Sequence, residues 1–147
     1  MTEEKNLQLK TVLLSFREIH QKTRHILNAA AMEKDITIVQ LLIADIIKHS
    51  PGINSQDIAK EMRLAKSTVS GTVNRMITAN FITTEADLQD KRSHKLYITD
   101  LGMKKIRATY DIYLENLASL LDIGPEKIET LLSIHHDLLT KIDEVTL

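Results

Sequence analysis

Cysteine is absent from all 147 residues, which excludes disulfides, thiolate metal sites and thiol-based redox sensing. Tryptophan is absent too, and aromatic residues make up only 3% of the chain. Stacking of unpaired bases on aromatic platforms is therefore not an expected activity. No apolar run approaches the roughly 18 residues that a membrane span needs, and the opening Met-Thr-Glu-Glu-Lys-Asn has no apolar signal core. A cytoplasmic protein is the expectation. Catalytic signatures are missing as well: there is no nucleophile with a local base, no Gly-rich phosphate loop, and no His/Asp constellation at chemical spacing. The chain is expected not to be an enzyme and to need no cofactor.

What remains is a globular composition, 43% hydrophobic and 27% charged, in a chain long enough to bury a core. The formal net charge of -1 speaks against a polyanionic partner, but its distribution does not. Residues 1–59 are neutral overall, residues 60–107 carry a net charge of +5, and residues 108–147 carry -6. Since charges are screened over about 8 Å at physiological salt, the basic block can act independently of the acidic tail.

Along the chain, helical periodicity runs from residue 3 to about 32 with no Gly or Pro, placing Leu9, Val12, Leu13, Phe16, Ile19, Thr23, Ile26, Leu27 and Ala30 on one stripe. A second helix, dense in Ile and Leu, is expected over 36–49 and is stopped by Ser50-Pro51-Gly52. Asn54 is placed to cap a short helix ending near Met62. Arg63-Leu64-Ala65 then forms a turn plugged by Leu64, and a further helix follows to Ala79, with Asn80 suited to a left-handed exit. Apolar positions at Ile58, Met62, Leu64, Val69 and Val73 around that turn fit a helix-turn-helix. Phe81–Ala86 and Lys95–Thr99 read as two strands around the polar loop 87–94. Thr99 caps a long helix, and after a break at Asp122–Pro125 a last helix repeats a 3-4 rhythm at Ile128, Leu131, His135, Leu138, Ile142 and Val145.

The fold class predicted is mainly α with a small β-hairpin wing, a winged helix-turn-helix forming one compact lobe. Residues 36–99 are its DNA-binding region, and residues 1–35 and 100–147 are a helical region for homodimerisation.

The helix after the turn carries the functional signal. One face holds Val69, Val73, Met76 and Ile77; the other holds Ser67, Ser70, Gly71, Asn74 and Thr78, flanked by Lys66 and Arg75. Ordinary solvated helices are laced with Glu and Lys, whereas no acid occurs from Lys66 to Thr84. Short hydrogen-bonding side chains with cations suit a helix in the major groove of DNA. A small-residue helix packed against protein has the same composition, and a winged-helix module that binds protein and not DNA is the alternative function.

Three stretches tie the chain to a known family. Pro51-Gly52-Ile53 leads into Ser55-Gln-Asp-Ile-Ala59; Ser67-Thr-Val-Ser70 opens the reading helix; and Asp90-Lys-Arg-Ser93 is followed by Leu96-Tyr-Ile-Thr-Asp-Leu-Gly102. In these stretches, and in element order over essentially its whole length, the chain resembles the MarR (multiple antibiotic resistance regulator) family of bacterial transcription regulators. The resemblance implies a dimeric regulator of transcription, read here as a repressor relieved by a small aromatic or anionic ligand. It implies that Ser67, Thr68, Ser70, Gly71, Asn74 and Arg75 face the major groove of a pseudo-palindromic operator. By the same resemblance Arg92 enters the minor groove with Asp90 bracing its guanidinium, and Ser55, Lys66, Lys91 and Ser93 complete the DNA-binding set. Ala65 stands where a serine often caps this helix in the family, and Gly71 where an arginine is common.

A ligand cleft between the dimer helices and the winged region is also implied. Phe16, Arg17, His20 and Arg24, with Tyr110 and Tyr113, are its candidate lining. His135-His136-Asp137 has the look of a metal cluster, but neighbouring helical residues point about 100° apart, so no metal site is expected there.

Overall fold

In the computed structural model, which describes residues 2–89 and 93–146, the order of elements is α1 (Glu3–Glu33), α2 (Ile38–His49), α3 (Ser55–Met62), α4 (Lys66–Thr78), β1 (Ile82–Ala86), β2 (His94–Ile98), α5 (Asp100–Leu117), a 3-10 helix (Ala118–Ile123) and α6 (Pro125–Thr146). The chain divides into two compact units, residues 1–113 and 114–147. No described helix is long and apolar enough to cross a membrane.

In the first unit α1, α2, α3 and α5 each start at a residue chemically suited to start it. Thr2 accepts a hydrogen bond from the Lys5 amide, and Asn54 accepts one from the Asp57 amide at 2.9 Å. Helix α2 begins at Ile38, not at Ile36 as the hydrophobic pattern suggested. Thr37 forms a reciprocal capping box with Gln40, and Ile36 lies outside the helix, buried in the core. Apolarity alone marks burial, whereas the Thr-x-x-Gln spacing marks the boundary.

The core gathers Leu41, Ile43 and Ile47 of α2, Ile58 and Ala59 of α3, Val69, Val73 and Met76 of α4, then Phe81, Ile82, Leu96 and Ile106. Leu64 is not in it. It is 38% exposed, because Arg63 in the left-handed region (φ 53°) turns the chain and the tight α3–α4 junction is closed by the Leu64 amide donating to the Ala59 carbonyl.

Strands β1 and β2 pair antiparallel, with Ile82 opposite Ile98, Thr84 opposite Leu96 and Ala86 opposite His94. Leu96 also bonds outside the hairpin: its carbonyl accepts from the Gly52 amide at 2.8 Å and its amide donates to the Ile53 carbonyl at 3.0 Å. The turn before α3 is thereby tied to the wing. Gly52 sits at φ +88°, where a side chain would be strained and would meet the Tyr97 hydroxyl at 3.4 Å.

The corner between α4 and β1 is held from α5. Asn80 is left-handed (φ 58°), as its position past the helix suggested. The Thr99 hydroxyl donates to the Asn80 carbonyl at 2.6 Å and accepts from the Gly102 amide at 3.0 Å, so one side chain caps α5 and holds the end of the reading helix. Gly102 lies so near this corner that an added Cβ would stand 2.1 Å from the Phe81 carbonyl oxygen.

In the second unit, Gly124 (φ +100°) ends the 3-10 helix and Pro125 opens α6. Of the 3-4 stripe on α6, Leu131, Ile142 and Val145 are exposed and Ile128, His135 and Leu138 half-buried; Leu132, Ile134 and Leu139 are exposed off it.

Gly102→Ala is expected to destabilise the protein by about 2–3 kcal/mol, an overpacking cost against backbone that cannot move aside. Urea unfolding measures this, and an unchanged midpoint would show that the corner does not depend on the close approach.

Candidate nucleic-acid interface

The interface is built on α4, whose two faces separate cleanly. Val69, Thr72, Val73 and Met76 are buried, while Lys66, Ser67, Thr68, Ser70, Asn74, Arg75 and Thr78 are exposed and Gly71 is half-buried. Thr72 was not foreseen as a core residue. It is 3% exposed because its hydroxyl satisfies itself locally, donating to the Thr68 carbonyl at 2.9 Å. The same oxygen accepts from Arg75 Nη2 at 3.1 Å. Arg75 thus has its guanidinium held against its own helix, reducing the side-chain entropy it has left to lose on binding.

The start of α4 has no side-chain cap, since Ala65 supplies none. Gly71 answers no packing demand inside the chain: an added Cβ would meet only Arg75 Nη1, at the ordinary contact distance of 3.9 Å.

Between α4, the start of α3 and the wing lies a groove of about 450 Å³. Asn54, Ser55 and Gln56 line it from α3, and Lys66, Ser70 and Asn74 from α4. Thr84, Ser93 and His94 line it from the wing, over Val73, Ile77 and Leu96. Of these, Ser55, Lys66, Ser70, Asn74 and Ser93 were expected at the interface, while Asn54, Gln56, Thr84 and His94 were not. Strand alternation carried that signal for Thr84 and His94, because both share the face of the buried Leu96. Among the described residues no acid lines the groove. Neighbouring carboxylates have other partners: Asp57 accepts from Lys60 Nζ at 3.1 Å and from Asn54 Nδ2 at 2.9 Å, and Asp87 lies 3.8 Å from Lys95 Nζ. Asp90, Lys91 and Arg92 lie outside the described residues.

The candidate ligand residues are only partly brought together. His20, Arg24 and Tyr113 line a second cavity of about 160 Å³ with Thr23, Leu27, Ile38 and Leu42. That is smaller than the roughly 300 Å³ of a typical small-molecule site. Phe16 and Arg17 are not among its lining, and neither is Tyr110. The Tyr110 hydroxyl donates to Asp45 Oδ2 at 3.4 Å and its ring meets Tyr113 edge-on at 6.4 Å. Burial, reinforced by the Asp45 carboxylate, raises its pKa above the ordinary tyrosine value. Tyr110 therefore serves the packing of α5 on α2. Among the described residues no group of three or more His, Asp or Glu could hold a metal ion.

Comparison with known proteins agrees with this geometry. Residues 36–94 match the sequence model of the MarR family. The F27L mutant of MepR from S. aureus, solved bound to an oligodeoxyribonucleotide, is similar with a TM-score of 0.64 and 22% identity, over 89% of this chain and 97% of that one. Wild-type apo MarR from E. coli aligns with a TM-score of 0.77 and 17% identity, over 84% and 93% of the two chains. A further MarR family transcription regulator reaches a TM-score of 0.80 at 16% identity, over 96% and 93%. At such identities the likeness establishes the fold. No curated protein sequence matches the chain.

Gly71→Ala is expected to stabilise the isolated protein by about 0.5–1 kcal/mol, the cost of a helical glycine relative to alanine. Thermal unfolding tests this; a lower melting temperature would mean that Gly71 does answer a packing need within the chain.

Proposed function

The chain belongs to the MarR family of DNA-binding transcription regulators, and from that premise we propose that it is a dimeric repressor released from its operator by a small ligand. The observation that carries this reading is the exposed face of α4. From Lys66 to Thr78 it offers Ser, Thr, Asn, Lys and Arg without one acid, while its apolar side chains are buried. Such a face suits a major groove: Asn74 and Arg75 can reach base edges, and Lys66, Ser67 and Thr68 can reach phosphates. The uncapped first turn leaves backbone amides to a phosphate acceptor, and Gly71 allows the helix to approach the bases closely.

Arg92 at the wing tip is assigned to the adjacent minor groove, whose negative potential attracts arginine, with Asp90 as its brace. Dimerisation is assigned to the chain ends. Leu7, Leu9, Leu13 and Leu14 of α1, and Leu131, Leu139 and Ile142 of α6, are all exposed apolar side chains, more than a monomeric surface ordinarily carries on two helices. A two-fold dimer would set two reading helices one helical turn apart on a pseudo-palindromic site. The cavity at His20, Arg24 and Tyr113, with apolar walls and a cation, suits an anionic aromatic ligand that bears on α1 and α5. Its small volume in one chain calls for enlargement on binding.

The test is titration of the protein against duplex DNA from upstream of its own gene. With about six or more phosphates neutralised per dimer, affinity should fall about a thousandfold or more between 50 and 200 mM salt. Arg92→Ala should weaken binding at least about tenfold, about 1.4 kcal/mol, with melting temperature and sedimentation unchanged. Undiminished binding by the variant would remove the minor-groove role, and binding that ignores salt would remove the DNA reading.

A further inference from the structure

The groove between α4 and the wing follows from neither the reading helix nor the wing taken alone. A helix in the major groove and a hairpin in the adjacent minor groove must straddle the sugar-phosphate ridge that separates the two. The space between them is where that ridge passes. In this protein that space is the 450 Å³ groove, and its walls suit a phosphate. Lys66 stands on the helix side and His94 on the wing side, with Ser70, Asn74, Thr84 and Ser93 as hydrogen-bonding groups between them.

We propose that this groove seats the backbone phosphates between the two DNA grooves, held by Lys66 and His94, and that His94 takes up a proton as the phosphate enters. The proposal rests on the DNA-binding reading above and adds a contact and a pH response to it.

Among the described residues, the charges around His94 leave it without a competing anion. The start of α3 contributes only Asn54, Ser55 and Gln56 to the groove, and α4 contributes Lys66 as its one charge. On the wing, the register places His94 on the face of Thr84 and Leu96, whereas Glu85 and Lys95 are paired on the other face. Asp87, the nearest acid along the hairpin among the described residues, lies beside Lys95 Nζ and accepts from the Gln89 amide. An incoming phosphate therefore brings a negative charge to a groove whose described lining has none. Imidazole changes charge between about pH 5 and 8, and a nearby anion favours its charged form. Binding then draws in protons, so affinity rises as pH falls, by up to tenfold per pH unit for each proton taken up.

A phosphate contact ignores base sequence, so a mixed-sequence duplex of about 30 base pairs, some three helical turns, is a sufficient probe. Fluorescence anisotropy with the full chain, at constant low ionic strength, compares pH 6 with pH 8. Wild-type protein is expected to bind at least about tenfold tighter at pH 6. His94→Gln, at an exposed position, should keep the melting temperature and reduce that ratio below about twofold. The five other histidines remain in this variant, so any pH response it retains belongs to them. Lys66→Gln should weaken binding at both pH values, lower the salt slope by about one per protomer, and leave the pH ratio intact. If His94→Gln retains the wild-type ratio, or wild-type protein shows none, while binding stays salt-dependent, the His94 assignment falls and the DNA reading stands. Unaltered affinity in Lys66→Gln overturns the paired seat. No salt-dependent binding at either pH overturns both readings.

Discussion

The reading surface depends on a single crowded corner, where Thr99 and Gly102 of the α5 start meet Asn80 and Phe81 at the end of α4. One hydroxyl there donates to the Asn80 carbonyl and accepts from the Gly102 amide. The backbones approach so closely that no side chain fits at residue 102. A helix end left to itself frays, since its last carbonyls have no partners within the helix. Here the Arg75, Met76 and Ile77 carbonyls accept from the Ala79, Phe81 and Asn80 amides, and Thr99 in turn holds the carbonyls of Asn80 and Phe81. Lys105 strengthens the same region, donating to the Lys34 carbonyl at the end of α1 while its ammonium lies 5.7 Å from the centre of the Phe81 ring. The ends of α1 and α4 are therefore linked through one residue of α5. A rearrangement of α1 or α5 has a direct physical route to the reading helix.

A second anchoring acts on the wing. A two-stranded hairpin is marginal by itself, but Leu96 exchanges backbone hydrogen bonds with Gly52 and Ile53 and buries its side chain in the core. The wing base is thereby tied to the turn before α3 and to the core of the helix-turn-helix. That tie sets the wing wall of the groove, with His94, relative to Lys66 of α4.

Much of this was legible in the sequence, for identifiable reasons. Caps announce themselves by residue type at fixed spacing, so Asn54 and Thr99 were readable, and Asn80 was marked by its tolerance of the left-handed conformation. Boundaries hidden inside apolar runs were not: Ile36 looked helical because it is buried, and only Thr37 with Gln40 shows where α2 starts. Leu64 looked like a plug because apolar residues in turns usually are buried, yet the left-handed Arg63 turns it outward. Thr72 was assigned to neither face of α4, and its polar hydroxyl hides its burial, although a helix carbonyl satisfies that group locally. Tyr110 and Tyr113 were indistinguishable by periodicity. Only the placement of Asp45 separates a packing tyrosine from a cavity-lining one, and that contact spans 65 residues of sequence. The groove was the least legible feature, since it joins residues from three elements that share no local pattern.

Helix α4 is also where local stability and surface chemistry part company. It lacks a side-chain cap at Ala65, worth roughly 1 kcal/mol, and it carries Gly71 in its interior at a similar cost. Neither departure is needed by anything that the chain itself packs against that face. The loss is offset on the opposite side, where Val69, Val73 and Met76 are buried almost completely and each contributes about 1.5–3 kcal/mol. A helix that draws its stability from one face is free to vary the other. Local rules of helix design are broken on the solvent side alone, which is where binding selection acts. On the proposed reading the pattern of breakage falls on the DNA-facing side: an open first turn for an anion, a missing side chain for close approach, and an arginine tied back to Thr72 so that its position is set before contact.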